Sequence, residues 1–109
     1  MPDGKRWTTR DRHGNDVYLT EERWEHIISP ENHPELAEYE QGLKETIRAG
    51  VRQQDSLNPR KYRYGKAFTR LPMGNTHIVA VVLFAFIETE SGRPQANNYV
   101  TTAYMKEIG

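Results

Sequence analysis

The strongest constraint on this chain is a run of ten apolar residues at positions 78–87, Ile-Val-Ala-Val-Val-Leu-Phe-Ala-Phe-Ile. A helix needs about 20 apolar residues to cross a bilayer, so the run is not a membrane span. It is apolar on both faces and rich in branched and aromatic residues. Together with Thr76 and His77 it reads as a central strand. The remaining apolar residues are sparse: Leu, Ile, Val and Phe number 21 in 109. Zero formal net charge argues against disorder, and the length fits one small domain.

The elements around that strand follow from local signals. Residues 5–10 and 16–19 are predicted to pair as a hairpin around Arg12-His13-Gly14-Asn15, because Gly and Asn tolerate positive φ. Thr20 reads as an N-cap before Glu21 and Glu22, and Trp24, Ile27 and Ile28 form the apolar face of a short helix ending before Pro30. Pro34 suits the first position of a second helix, whose stripe is Leu36, Tyr39, Leu43 and Ile47, with Gly50 as its stop. Residues 60–70 alternate, with Tyr62, Tyr64, Lys66 and Phe68 on one strand face and Lys61, Arg63, Gly65 and Ala67 on the other. Residues 88–97 read as a polar loop and 98–106 as a last strand. The expectation is an α+β fold, with N-terminal helices packed on one face of a three- to four-stranded antiparallel sheet. Residues 1–19 would be an extension of a domain spanning 20–109.

Several chemistries are excluded by what the chain lacks. Without cysteine there is no disulfide scaffold, thiol nucleophile or thiolate metal site. His26 and His33 are seven apart with Pro30 between them, so they do not make a helical metal pair. No calcium loop, phosphate-binding glycine loop or nucleophile elbow is present, and neither a metal nor a cofactor is expected. The first residues lack the apolar segment of a signal peptide, so a cytoplasmic location is expected.

Charge is divided along the chain. Residues 20–41 hold seven acids against one base, and residues 44–70 hold eight bases against two acids, a net of −6 followed by +6. Such a division either builds a local positive field or merely solvates two surfaces. Histidines, cations, tyrosines and the Thr101-Thr102 pair are the groups needed to cleave RNA through its own 2′-hydroxyl. That reaction takes a base, an acid and cations around the phosphate. His33 reads equally as a helix-start residue or a proton-transfer group. His26, beside the Trp24 and Ile27 stripe, reads as a structural histidine or a second catalytic one. Tyr62, Tyr64 and Phe68 suit a core as well as a base-stacking platform, although Lys66 and Arg60 interrupt their face.

Four segments in order, Arg23-Trp24-Glu25-His26-Ile27, His33-Pro34-Glu35-Leu36, the basic tyrosine-containing stretch 60–66 and Val100-Thr101-Thr102-Ala103-Tyr104, carry a resemblance. Their order and spacing resemble phage-associated members of the barnase–EndoU–colicin–RelE (BECR) superfamily, over roughly residues 20–106. The pattern departs at Asn32, where such sequences often carry a basic residue. The resemblance implies helices on a four-stranded antiparallel sheet and a metal-independent ribonuclease, a toxin or a mobile-element or defence effector. It implies His33 as acid or base, and Thr102 and Tyr104 as phosphate-contacting or catalytic. Within 60–66 it implies a cation and a tyrosine, for which parity favours Lys66 and Tyr64, then Arg60 and Tyr62. His26 is retained as a catalytic candidate and Arg52 as a substrate-binding cation. The expected partners are RNA and an antitoxin or immunity protein, with no membrane. The alternative is a non-catalytic RNA- or protein-binding module on the same fold.

Overall fold

The computed structural model describes residues 4–108. Strands β1 (Lys5–Arg10) and β2 (Asp16–Thr20) form an antiparallel hairpin. Its tip turns through Gly14 at φ +85°, while the Asp11 carboxylate accepts the His13 and Asn15 amides at 2.9 and 2.8 Å. Thr20 then caps α1 (Glu21–Ile27), its hydroxyl accepting from the Arg23 amide at 3.0 Å. Asn32 closes the other end of α1 by donating to the His26 carbonyl at 2.7 Å.

The single second helix expected from Pro34 onward is two pieces. A 3-10 turn spans Pro34–Glu38, Tyr39 breaks the helical path at φ −124° and ψ 29°, and α2 runs Glu40–Ala49. The stripe of Leu36, Tyr39, Leu43 and Ile47 still faces the core. Apolar spacing reports which residues are buried, and it does not register a change of winding between them.

Strands β3 (Val51–Gln54), β4 (Lys61–Ala67), β5 (His77–Leu83) and β8 (Asn98–Lys106) complete a six-stranded sheet of order β1-β2-β8-β5-β4-β3. The expected sheet of three to four antiparallel strands is therefore corrected. The sheet is mixed, because β2 joins β8 in parallel through Val17↔Asn98 and Tyr18↔Tyr99. So short a join depends on side chains: the Tyr18 hydroxyl donates to Asn97 at 2.9 Å, and the Asn98 amide donates to the Asp16 carbonyl at 3.1 Å. Strand periodicity identifies β2 but carries no signal for this partner.

The long apolar run also divides. β5 ends at Leu83, the Phe84 amide turns to the Arg60 carbonyl at 2.7 Å, and β6 (Phe86–Glu88) pairs with β7 (Pro94–Ala96) as a separate ribbon. Where a polar loop was expected there is thus a second hairpin, carrying exposed Phe86 and Ile87.

The helices lie on one face of the main sheet. Ile78, Ala80 and Val82 of β5, Tyr64 of β4, and Val100, Ala103 and Met105 of β8 pack there against Trp24, Ile27, Leu43 and Ile47. Val17 and Leu19 of the hairpin belong to the same cluster. The hairpin also reaches across this face, where Arg6 and Trp7 hold Glu40 and Arg12 donates to the Ala49 carbonyl. No helix among the described residues is long and apolar enough to cross a membrane.

Candidate functional site

The second face of the sheet is the one the helices leave open. Val79 and Val81 of β5 point to it and stand outside the main core cluster. Sheet register places Arg63, Val81 and Thr102 in one row across β4, β5 and β8, and Gly65, Val79 and Tyr104 in the next row on the same face. A bulge at Thr101, whose hydroxyl donates to the Val81 carbonyl at 3.2 Å, turns Val100 to the core and Thr102 and Tyr104 to the open face.

β2 pairs with β8 only as far as Tyr99, so among the described residues the rest of β8 has no strand on that side. α1 and the turn after it occupy this space. The His33 amide donates to the Ile27 carbonyl at 2.9 Å, and the His33 ring lies 6.1 Å from the Tyr104 ring, centroid to centroid. Glu35 stands 3.6 Å from His33 Nδ1, an ion pair whenever the imidazole carries its second proton. The short join between β2 and β8 thus positions His33 at the edge of the open face.

Arg63 enters this group from β4. Its guanidinium donates to Asp55 at 2.9 Å and is raised above its ordinary value, chiefly by Asp55 and to a lesser degree by the neighbouring Tyr104 phenol. Asp55 also accepts the Leu57 and Asn58 amides, and with Arg63 these lower its carboxyl to about 2. The loop after β3 is in this way built around the carboxylate that holds Arg63. His33 and Arg63 thus meet at Tyr104 from three separate segments, and Thr102 shares the face of β8 with Tyr104.

The other residues singled out from the sequence lie elsewhere. Parity was expected to place Tyr64 and Lys66 with Thr102 and Tyr104, and the structure corrects this. Tyr64 is fully buried on the helix-bearing face, and its hydroxyl donates to Asp11 at 2.5 Å. Tyr62 packs on the same face against Phe84 and under Arg52, whose guanidinium is 4.5 Å from the ring centre. Arg52 also lies 3.9 Å from Asp11 and over Phe84, so its contacts are structural. Lys66 stands at the rim of that face with its ammonium over Phe68. A lysine in an apolar strand face is here a stem lying along the core edge with its charge outward. Arg60 precedes β4 and is exposed, and His26 is exposed on α1.

Arg63 was the residue that sequence reasoning passed over. Its strand face, Lys61, Arg63, Gly65 and Ala67, is the less bulky of the two, and an interior strand glycine is one signal of close approach to the sheet. No three His, Asp or Glu side chains converge as a metal cluster among the described residues. No family model, curated protein or solved structure matches this chain.

Proposed function

We propose that the protein cleaves RNA by attack of a 2′-hydroxyl on the adjacent phosphate, on the open face of the sheet. The observation that carries this reading is the approach of His33 and Arg63 to Tyr104, with Thr102 on the same face of β8. Together they present one group able to move a proton near neutral pH, two hydroxyls and one permanent cation. The resemblance to BECR ribonucleases supports it through His33, Thr102 and Tyr104. Tyr64, buried on the opposite face, takes no part, and the Lys66 ammonium lies over Phe68, although the residue also borders the open face.

In the proposed reaction His33 takes the proton of the 2′-hydroxyl. A bond forms from that oxygen to phosphorus as the bond from phosphorus to the 5′-oxygen breaks, and water protonates the departing oxygen. Arg63 carries the charge of the phosphoryl group, and the Thr102 and Tyr104 hydroxyls donate to its oxygens. The products are a 2′,3′-cyclic phosphate and a free 5′-hydroxyl. None of these steps uses a metal.

A second reading, RNA binding without cleavage, is favoured by Asp55, which already neutralises much of the Arg63 charge. Labelled RNA and DNA incubated with the protein in EDTA separate the two readings. Cleavage of RNA alone, lost in a folded His33→Ala variant, supports the ribonuclease. Salt-sensitive RNA binding with no cleavage supports the second reading.

A further inference from the structure

Beside the His33–Tyr104–Arg63 group the open face sinks into a groove of about 500 Å³. That volume falls within the range of about 300–1,000 Å³ usual for small-ligand sites. Its floor is Gly65 with Val79 opposite. Around it stand Gln53, Arg63, His77, Tyr104 and Lys106, and among the described residues no Asp or Glu lines it. A methyl group added at Gly65 would meet nothing within 4 Å, and the residue has no positive φ that would require glycine. Neither packing nor backbone conformation accounts for the missing side chain. An interior strand glycine often marks a place where a ligand or another backbone approaches the sheet, and the space above Gly65 is open.

We infer that this groove seats one unpaired nucleobase of single-stranded RNA, next to the phosphate held by Arg63. The inference rests on the RNA reading of the adjoining group. An aromatic base has flat apolar faces and a polar edge, and the groove offers a matching surface. Gly65 and Val79 form the apolar floor, the Tyr104 and His77 rings stand at its side, and the Gln53 amide can both donate to and accept from a base edge. Arg63 on one row of the sheet and Lys106 two rows away place cations along the path of the flanking backbone. A base held in a duplex cannot turn its face into the sheet, so the groove selects single strands.

The test is a titration with a fluorescein-labelled, fully 2′-O-methylated oligonucleotide of mixed sequence, single-stranded and as a duplex. The methyl groups remove the nucleophile, so binding is read without cleavage. The wild-type protein is expected to bind the single strand more tightly than the duplex. Gly65→Val, which fills the floor, is expected to weaken single-strand binding about tenfold while the thermal midpoint is retained. If Gly65→Val does not fold, Gly65→Ala replaces it, with a smaller loss in the same direction expected. Unchanged affinity in a folded Gly65 variant overturns the inference, and so does equal affinity for the duplex. Gly65-dependent binding in a protein that leaves unmodified RNA intact would sink the cleavage reading and keep the groove. RNA cleavage with binding indifferent to Gly65 would do the reverse.

Discussion

The Tyr64 hydroxyl donates to Asp11 at 2.5 Å across 53 positions of sequence, tying the tip of the first hairpin to the middle of β4. Both side chains are buried. Asp11 accepts in addition from the His13 and Asn15 amides and the Asn15 side chain. Burial alone would raise its carboxyl, but the donation from Tyr64 and from the turn outweighs it and holds Asp11 below the usual carboxylate range. Tyr64 is pushed well above the usual phenol range, first by burial and then by the carboxylate beside it.

Removing the hydroxyl tests how much this tie contributes. Tyr64→Phe deletes one hydrogen bond to a buried charge, and a loss of about 2 kcal/mol in unfolding free energy is expected. Urea denaturation should show a lower midpoint at an unchanged slope. RNA cleavage under folding conditions should persist, because Tyr64 lies on the face opposite His33.

Acid should weaken the fold through the same carboxylate. The Asp11 pKa is lower folded than unfolded, so in the interval between the two values the unfolded chain binds more protons and stability rises with pH. Its contribution is complete above the unfolded value near ~3.9 and is lost as pH falls through the folded one. Asp55, lowered to about 2, acts in the same direction over its own interval. Thermal midpoints measured from neutral pH downward should fall below about pH 4. Asp11→Asn should flatten that limb.

Two glycines only fifteen positions apart should respond differently to alanine. A methyl group at Gly50 would lie 2.2 Å from the Thr46 carbonyl oxygen and 2.8 Å from that of Gly65, both backbone atoms that cannot swing away. Gly50→Ala is expected to destabilise by about 1–3 kcal/mol, as overpacking does. Gly65→Ala should leave stability unchanged or slightly raised. Chemical denaturation of the two variants side by side checks the contrast.

Arg63 should tolerate neither truncation nor exchange for lysine in catalysis. Its planar guanidinium is held by Asp55 beside Tyr104, a geometry an ammonium does not reproduce. Arg63→Ala and Arg63→Lys are both expected to lower the cleavage rate about 100-fold, the scale for a group that stabilises transition-state charge. Single-turnover rates on a labelled RNA would measure this. A lysine variant with full activity would remove Arg63 from the phosphate site.

Much of the secondary structure could be read from the chain because it is locally encoded. Thr20 caps α1 through its own side chain, Gly14 carries the positive φ of the first turn, and β8 alternates on either side of its bulge at Thr101. The sheet could not be read, because the parallel join of β2 to β8 spans two residue pairs and depends on Tyr18, Asn97 and Asn98 meeting across about eighty positions. The site was half legible for a related reason. The Val100-Thr101-Thr102-Ala103-Tyr104 stretch and His33 carry local motifs. Parity within 60–66 defines two faces without saying which one shares a side with Thr102. Lys66 suggested the wrong face, since its charge leaves the core edge over Phe68, and Arg63 was overlooked beside a glycine.

The most direct test of the account is the chemistry of the new ends. A labelled RNA is incubated with the protein in EDTA, and the products are resolved by mass spectrometry. Attack by the RNA's own 2′-hydroxyl predicts 2′,3′-cyclic phosphate and 5′-hydroxyl ends, absent with a folded His33→Ala variant. Ends bearing a 5′-phosphate and a 3′-hydroxyl, or cleavage undiminished without His33, would contradict it.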